Sequence, residues 1–302
     1  MKRKSSFWKD FKKQWYYYAM VTPVIILVFI FSYLPLYGLV IAFQKYNPAL
    51  GFRSAWVGLD NFIFLFKQPN FVRTIWNTLY IAVLKIAGGI LVPVTVSLLL
   101  NEVRNARMKH MFQTAVYLPY FLSWVLLAGV LMDILGTDGI INQTLKQLGL
   151  GSVNFLGNAK IFPWTMIVSD IWKNFGFGTV VYLAALTGID PGLYEAAVVD
   201  GAGRWKQTVY ITLPQLTPTI VLMSVLALGG VLNAGFDQIY NLYSPIVFTT
   251  GDIIDTYVYR LGITQAQYSI GTAVGLFKSA VSAVLICSSY YLADRFTGYR
   301  VF

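Results

Sequence analysis

Cysteine and histidine are almost missing from this sequence. One cysteine, Cys287, and one histidine, His110, occur among 302 residues. A single thiol cannot form a disulfide within the chain, and a single imidazole excludes metal and acid–base sites that need two. The phosphate-binding pattern GxxxxGK[ST] is also absent, so the chain itself is not expected to bind or hydrolyse ATP.

Charge is scarce as well. Charged residues make up 12% of the chain and apolar residues 57%, whereas soluble domains carry about 25% charged residues. This balance predicts a membrane protein. The net charge of +10 is compatible with nucleic-acid binding, but the basic residues gather at the ends of apolar segments. That placement favours membrane orientation, and no nucleic-acid partner is expected.

Six apolar segments are long enough to cross a bilayer, whose core of about 30 Å takes about 20 helical residues. Because backbone groups in hydrocarbon must be paired within their own segment, these segments are predicted to be helices. The first is too long for a signal peptide and is expected to be retained. The predicted fold is an all-α polytopic membrane protein with one domain, residues 1–302, and spans over residues 17–43, 76–100, 112–135, 163–186, 213–236 and 271–293.

The distribution of lysine and arginine predicts the orientation. Outside the spans, 13 of them lie on the side of the N-terminus and seven on the other side. Since positive charge favours the cytoplasm, both termini are predicted to be cytoplasmic. The longer outer loops, near residues 44–75, 136–162 and 237–270, are expected to form short helices at the membrane interface.

A polar insert, residues 190–212, interrupts the apolar sequence on the predicted cytoplasmic side. Asp190 is suited to cap a helix that Pro191 begins, and Asp200-Gly201 is a left-handed stop signal. A second helical stretch is predicted from about Gly203 until Leu213-Pro214 ends it. The expected product is a helix-turn-helix that projects from the membrane.

The insert carries a spaced motif: Glu195-Ala196-Ala197, three residues, Gly201, nine residues, Ile211, one residue and Leu213-Pro214. This spacing resembles the EAA signature of permease subunits of ABC importers. The resemblance implies six helices in the type I importer fold and a coupling region that docks into an ATP-hydrolysing subunit. An ordinary amphipathic loop is the alternative. The implied coupling residues are Glu195, Ala196, Ala197, Asp200, Gly201 and Arg204.

Other segments resemble carbohydrate-uptake permeases of the maltose and glycerol-phosphate type. They are GLDNFIFLFKQPNFVRTIWNTLYIA, YLPYFLSWVLLAGVLMDILGTDGIINQTLKQLG and YVYRLGITQAQYSIGTAVGLF, and YLPLYGLVIAFQKYNP is most similar to the polysaccharide-type subgroup. The resemblance implies import of oligosaccharides or polysaccharide fragments across a bacterial plasma membrane. It also implies four kinds of partner: a second homologous permease, two ATPase subunits holding ATP and Mg²⁺, an extracytoplasmic solute-binding protein and membrane lipid. No metal or cofactor is expected in this chain.

Polar residues inside the spans are candidates for the substrate pathway. Lys85 and Lys278 are charged candidates whose alternative role is pairing within the bundle or snorkelling. Asp170 and Lys173 are further charged candidates. Gly229, Gly230 and Gly235 would allow a kink near a polar group of side chains. The predicted pathway residues are Asn174, Tyr182, Asn233, Asp237, Gln238 and Asn241.

Three other functions are compatible with a polytopic chain. The first is an ABC permease for another solute, such as glycerol-phosphate or an amino acid. The second is a membrane enzyme that modifies glycans or lipids, which would need clustered acid–base or metal-binding groups. The third is a membrane scaffold without a transport role.

Overall fold

A computed structural model describes residues 7–297, with side chains from Gln14 to Ser289 and at Tyr291. The predicted orientation relies partly on terminal residues whose side chains lie outside this part: Lys2, Arg3, Lys4, Lys9, Lys12, Lys13, Arg295 and Arg300. The elements are α1 (Phe7–Val28), β1 (Gln44–Asn47), β2 (Gly51–Trp56), α2 (Asp60–Lys67), α3 (Pro69–Glu102), α4 (Ala106–Tyr117), α5 (Trp124–Leu135), α6 (Ile140–Gln147), α7 (Phe162–Thr187), α8 (Pro191–Val199), α9 (Arg204–Gln207), α10 (Leu213–Gly229), α11 (Phe236–Leu242), α12 (Phe248–Gly251), α13 (Ile254–Tyr259) and α14 (Tyr268–Thr297).

Five helices in the described residues are long and apolar enough to cross a membrane: Gln14–Phe43, Pro69–Glu102, Trp124–Gln147, Arg204–Gly229 and Tyr268–Ser289. The remaining predicted span, residues 163–186, lies within α7, which has 26 residues. Asp170, Lys173 and Asn174 in the middle of α7 lower its hydropathy. This helix is therefore long enough to span a membrane but less apolar than the other five.

The predicted third span, residues 112–135, is not one continuous helix. α4 ends at Tyr117, a 3-10 turn covers Leu118–Phe121, and α5 starts at Trp124. Pro119 lacks a backbone N–H and so interrupts the α-helical hydrogen bonding. Ser123 then caps α5 by accepting from the backbone N–H of Leu126 at 3.3 Å. The third apolar helix therefore begins at Trp124.

The predicted fifth span, residues 213–236, also differs from the structure. Its helix does not begin at Leu213-Pro214, because a π-helical turn over Thr208–Thr212 joins α9 to α10. It ends early, at Gly229, and the chain is not helical again until Phe236. The insert thus continues into the membrane helix α10, and α10 ends at a break before α11.

The predicted outer loops contain short helices, as expected, and also a β-hairpin that was not predicted. β1 and β2 pair antiparallel, with Gln44 opposite Trp56 and Asn47 opposite Gly51. The outer loops further contain α2, α6, α11, α12 and α13.

The core is centred on α3 and α7. They approach closely at small residues: a Cβ added to Gly178 would lie 2.9 Å from Cγ of Pro93, and one added to Gly88 only 2.1 Å from Ile171. Small residues permit such close helix packing in membranes. In contrast, the most apolar window of Gln14–Phe43 has none of its residues buried. This first helix therefore exposes its apolar surface to lipid or another subunit.

Candidate functional site

The insert between α7 and α10 is closed at both ends by local hydrogen bonds. The Asp190 carboxylate accepts from the backbone N–H of Gly192 at 2.8 Å and caps α8. At the other end, Gly201 N–H donates to Val198 O at 3.0 Å and Ala202 N–H donates to Ala197 O at 2.8 Å. These two bonds form a Schellman motif, whose left-handed residue is Gly201 with φ +76°. The predicted cap and stop are both present.

The surface of the insert is apolar as well as charged. Val199, Trp205 and Tyr210 expose 87%, 79% and 75% of their surface. Glu195 and Ala196 are also exposed on α8. Large exposed apolar side chains on a short projecting loop are typical of a protein–protein contact. Of the six predicted coupling residues, Ala197 is half-buried and the other five are exposed.

The insert is also attached to the helices beside it. The Arg204 guanidinium lies 2.8 Å from the Glu102 carboxylate at the end of α3. The Tyr194 and Thr212 hydroxyls are 3.0 Å apart, which connects α8 to the start of α10. Because α9 continues into α10 through the π-helical turn, the insert and that membrane helix are one continuous helical segment.

The second group of predicted residues surrounds the break between α10 and α11. The Lys85 ammonium on α3 donates to Ala234 O at 2.7 Å and to the Gln238 amide oxygen, and lies 3.3 Å from Asp170 Oδ1. Gly235, which follows Ala234 in the chain, has φ +96°, and a Cβ added to it would lie 2.8 Å from Lys85 Nζ. The lysine therefore lies against the broken backbone and requires a glycine there.

Gln238 completes this cluster. Its amide nitrogen donates to Met166 O and to the Ser169 hydroxyl, both at 2.8 Å on α7. The side chain is fully buried. It therefore connects α11 to α7 and positions Lys85, and it does not line open space.

A buried lysine also lies at the break in the third predicted span. Lys173 on α7 is buried and donates to Tyr120 O at 3.1 Å, within the break before α5. Its ammonium also lies 5.3 Å from the Tyr120 ring and 5.4 Å from the Trp124 ring. Carbonyls freed by helix breaks need partners at membrane depth, and in both breaks a lysine supplies one.

A cavity of about 330 Å³ lies beside the Lys85 cluster. It brings together the predicted residues Asn174 and Asn233 with Lys85 and Asp170. The Asn233 amide oxygen accepts from Lys278 Nζ at 2.8 Å, and Lys278 also pairs with Asp255 at 2.5 Å. The cavity wall thus combines polar side chains with small apolar ones, and its two charged residues, Lys85 and Asp170, are paired with each other.

The remaining predicted pathway residues do not line this cavity. Asp237 is exposed, and the Asn241 amide donates to Asp237 O at 2.7 Å. Tyr182 lies further along α7 and is buried, and its hydroxyl has no hydrogen-bond partner among the described residues. The structure therefore groups two of the six predicted residues around the cavity and a third, Gln238, behind it.

Sequence reasoning missed the acidic partners in this region. Asp255 pairs with Lys278, and buried Asp252 pairs with Arg260, which directly follows α13. Burial alone would lower the pKa of Arg260, but the hydrogen bond and negative charge of Asp252 raise it above the usual value. A signal was available, since lysines inside apolar helices predict nearby carboxylates. It does not tell which carboxylate is the partner.

Known proteins match the chain over nearly its whole length. The family described as "Binding-protein-dependent transport system inner membrane component" matches residues 89–298. The polygalacturonan/rhamnogalacturonan transport system permease protein YteP of Bacillus subtilis (strain 168) is 43% identical over 286 residues, 94% of this chain and 89% of YteP. Protein LplB of the same organism is 42% identical over 287 residues, 94% of this chain and 90% of LplB.

A solved structure is equally similar. A chain from a bacterial alginate ABC transporter, in complex with an alginate pentasaccharide-bound periplasmic protein, has a TM-score of 0.90 and 41% identity, covering 98% of this chain and 100% of that chain. The predicted resemblance to ABC permeases of the polysaccharide type and the predicted all-α permease fold are confirmed. The chain belongs to the family of inner membrane components of binding-protein-dependent transport systems.

Proposed function

We propose that the chain is the translocation subunit of an ABC importer that takes up fragments of acidic polysaccharides. The observation that carries this proposal is the identity of 41–43%, over nearly the full chain, to permeases named for polygalacturonan/rhamnogalacturonan and for alginate. Alginate is an acidic polysaccharide, and polygalacturonan and rhamnogalacturonan both contain galacturonate. The polar side chains that line the cavity beside Lys85 and Asn174 agree with a hydrated cargo.

The insert is proposed to couple this subunit to ATP hydrolysis in a partner. Its uncovered apolar side chains would enter a cleft of an ATPase subunit, and exposed Glu195 would pair with a basic residue there. Two such ATPase subunits would hold ATP and Mg²⁺. Glu195, Ala196, Ala197, Asp200, Gly201 and Arg204 are the proposed coupling residues.

A second permease subunit is proposed to complete the pathway. One chain encloses only half of a central path, and the first apolar helix, Gln14–Phe43, has a fully uncovered apolar window. That surface is suited to pack on a homologous subunit. Both termini are proposed to be cytoplasmic, with the hairpin and α2 outside, where a solute-binding protein delivers the saccharide.

Transport requires two arrangements of these helices, and ATP binding must favour one of them. The insert continues into α10, and the far end of α10 is the break that Lys85 holds against α3 and α7. Closure of the ATPase subunits would therefore tilt α10 and shift the break at Gly230–Gly235. Asn174 and Asn233 would then face the saccharide in one arrangement.

The test is to purify this subunit from its native membrane and identify what remains bound. The proposal expects a second permease and two ATPase subunits. ATP hydrolysis by the purified complex should rise when a solute-binding protein loaded with trigalacturonate or trimannuronate is added. Stimulation by glycerol-phosphate or an amino acid instead would contradict the proposed substrate, and the absence of ATPase subunits would contradict the proposed class.

A further inference from the structure

A second cavity, of about 640 Å³, lies on the face that the predicted orientation places outside. It is formed by β1, α2 and the start of α14 and shares no lining residue with the cavity beside Lys85. Its size is within the range of about 300–1,000 Å³ for small-molecule sites. Its lining includes Lys45, Asp60, Asn61, Phe64, Gln267 and Tyr268.

The walls of this cavity are held in place. The backbone N–H of Tyr46 donates to the Ser269 hydroxyl at 2.9 Å, and the rings of Tyr46 and Tyr268 meet edge to face with centroids 5.9 Å apart. The Asn61 amide nitrogen donates to Ala42 O at 2.8 Å and to Gln44 O at 3.0 Å. The hairpin, α2 and α14 are therefore joined around the cavity.

One wall includes backbone in an unusual conformation. Ala266 has φ +53°, the one positive φ at a non-glycine residue in the described chain. Gln265 N–H donates to Arg260 O and Gln267 N–H donates to Leu261 O, both at 2.9 Å, so the residues on either side of Ala266 are held. Such strain is maintained by the surrounding structure and is concentrated at ligand sites.

The chemistry of the lining is suited to an acidic sugar. Phe64 and Tyr268 expose 49% and 38% of their surface and offer aromatic faces for a sugar ring. Gln267 supplies an amide group, and Asn61 supplies only its amide oxygen, because its nitrogen already donates to Ala42 O and Gln44 O. The exposed Lys45 has no carboxylate within 4.0 Å among the described residues. The Asp60 carboxylate is also in the wall, where it can accept from sugar hydroxyls but would repel a uronate carboxylate.

We propose that this cavity is an entrance subsite for a uronate residue of the incoming saccharide, with the Lys45 ammonium pairing with its carboxylate and Tyr268 packing on its ring. The combination of apolar ring faces with a few convergent polar groups is what small-molecule recognition requires. The subsite rests on the proposed function and adds to it the group that selects an acidic sugar, the Lys45 ammonium. Lys45 has no carboxylate partner among the described residues, whereas Lys85 in the other cavity is already paired with Asp170.

The experiment measures saccharide binding to the complete purified transporter without its solute-binding protein. The probes are trigalacturonate and trimannuronate, each compared with its carboxyl-reduced neutral form. Lys45→Gln should weaken binding of the acidic probes about fivefold, the upper range for an exposed ion pair, and leave the neutral probes unchanged. The matched control is Lys67→Gln, which removes an exposed lysine of α2 outside the cavity and should change neither. Tyr268→Ala should weaken both forms.

The outcomes separate the subsite from the proposed function. If wild-type transporter takes up acidic saccharides and Lys45→Gln binds them as Lys67→Gln does, the subsite is overturned and the function stands. If the variants bind saccharide normally but lose affinity for the solute-binding protein, the cavity is a protein docking face and the subsite is again overturned. If wild type transports no acidic saccharide, both proposals are contradicted.

Discussion

Replacement of Gly201 tests the coupling region at its most constrained residue. Gly201 has φ +76° and closes the Schellman motif at the end of α8. A Cβ added there meets no atom within 4 Å, so the effect of a side chain comes from the backbone conformation alone. A left-handed conformation costs an L-residue about 1–2 kcal/mol, and more for a β-branched side chain. A cost of this size changes the population of the native turn by a factor of about 5–30.

A matched control exists two residues away. Gly203 is equally open but has φ −69°, which any residue adopts. Gly201→Val should insert into the membrane normally but lose most substrate-stimulated ATP hydrolysis, whereas Gly203→Ala should retain it. Gly201→Asn should be intermediate, because asparagine tolerates the left-handed region better than valine does.

The assay is ATP hydrolysis by the purified complex, with and without saccharide-loaded binding protein. It is accompanied by the amount of ATPase subunit that co-purifies with each variant. Equal stimulation of the Gly201→Val and Gly203→Ala complexes would refute the reasoning, because it would show that the turn at Gly201 does not transmit force. Loss of stimulation in both variants would mean that the whole loop is sensitive and that φ is not the cause.

The remaining predictions concern buried polar groups. Lys85→Met leaves Asp170 without its cation and should lower stability by about 3–5 kcal/mol, measured by thermal unfolding of the purified complex. Adding Asp170→Asn to the same chain should recover part of the lost stability. An unchanged unfolding midpoint of Lys85→Met would contradict the role of the Lys85–Asp170 pair. Arg260→Leu leaves buried Asp252 unpaired and should cause a comparable loss, which a normal unfolding midpoint would disprove. Tyr182→Phe removes a buried hydroxyl that has no hydrogen-bond partner in the described part of the chain, and should be neutral or stabilising by up to about 1–3 kcal/mol. Reduced saccharide uptake by this variant would instead support its predicted place in the pathway.

Local signals were read correctly where neighbours along the chain decide the conformation. The Asp190 cap and the left-handed turn at Gly201 depend on hydrogen bonds that reach two to five residues. The hairpin was missed although Gly51, with φ +56°, follows an Asn-Pro pair that is typical of turns. The surrounding aromatic residues favoured interfacial helices equally well, so the pattern alone did not distinguish a strand from a helix.

The candidate sites were less predictable because they join distant parts of the chain. Lys85 meets Asp170 and Gln238, which lie 85 and 153 residues away. The sequence marks each of them as a polar residue at membrane depth but does not show which ones share a cavity. Tyr182 and Asn174 were predicted on the same grounds, and only Asn174 lines the cavity.

The sequence by itself determined the class of protein, the approximate membrane segments and the position and turn of the insert between α7 and α10. Composition, apolar segment length and capping residues act locally, so they can be read without the other helices. Only the tertiary structure decided where the helices break and which lysine satisfies each break. Those choices depend on the packing of α3, α7 and α11, because a carbonyl freed within the membrane must be paired by whichever donor the neighbouring helices bring to it.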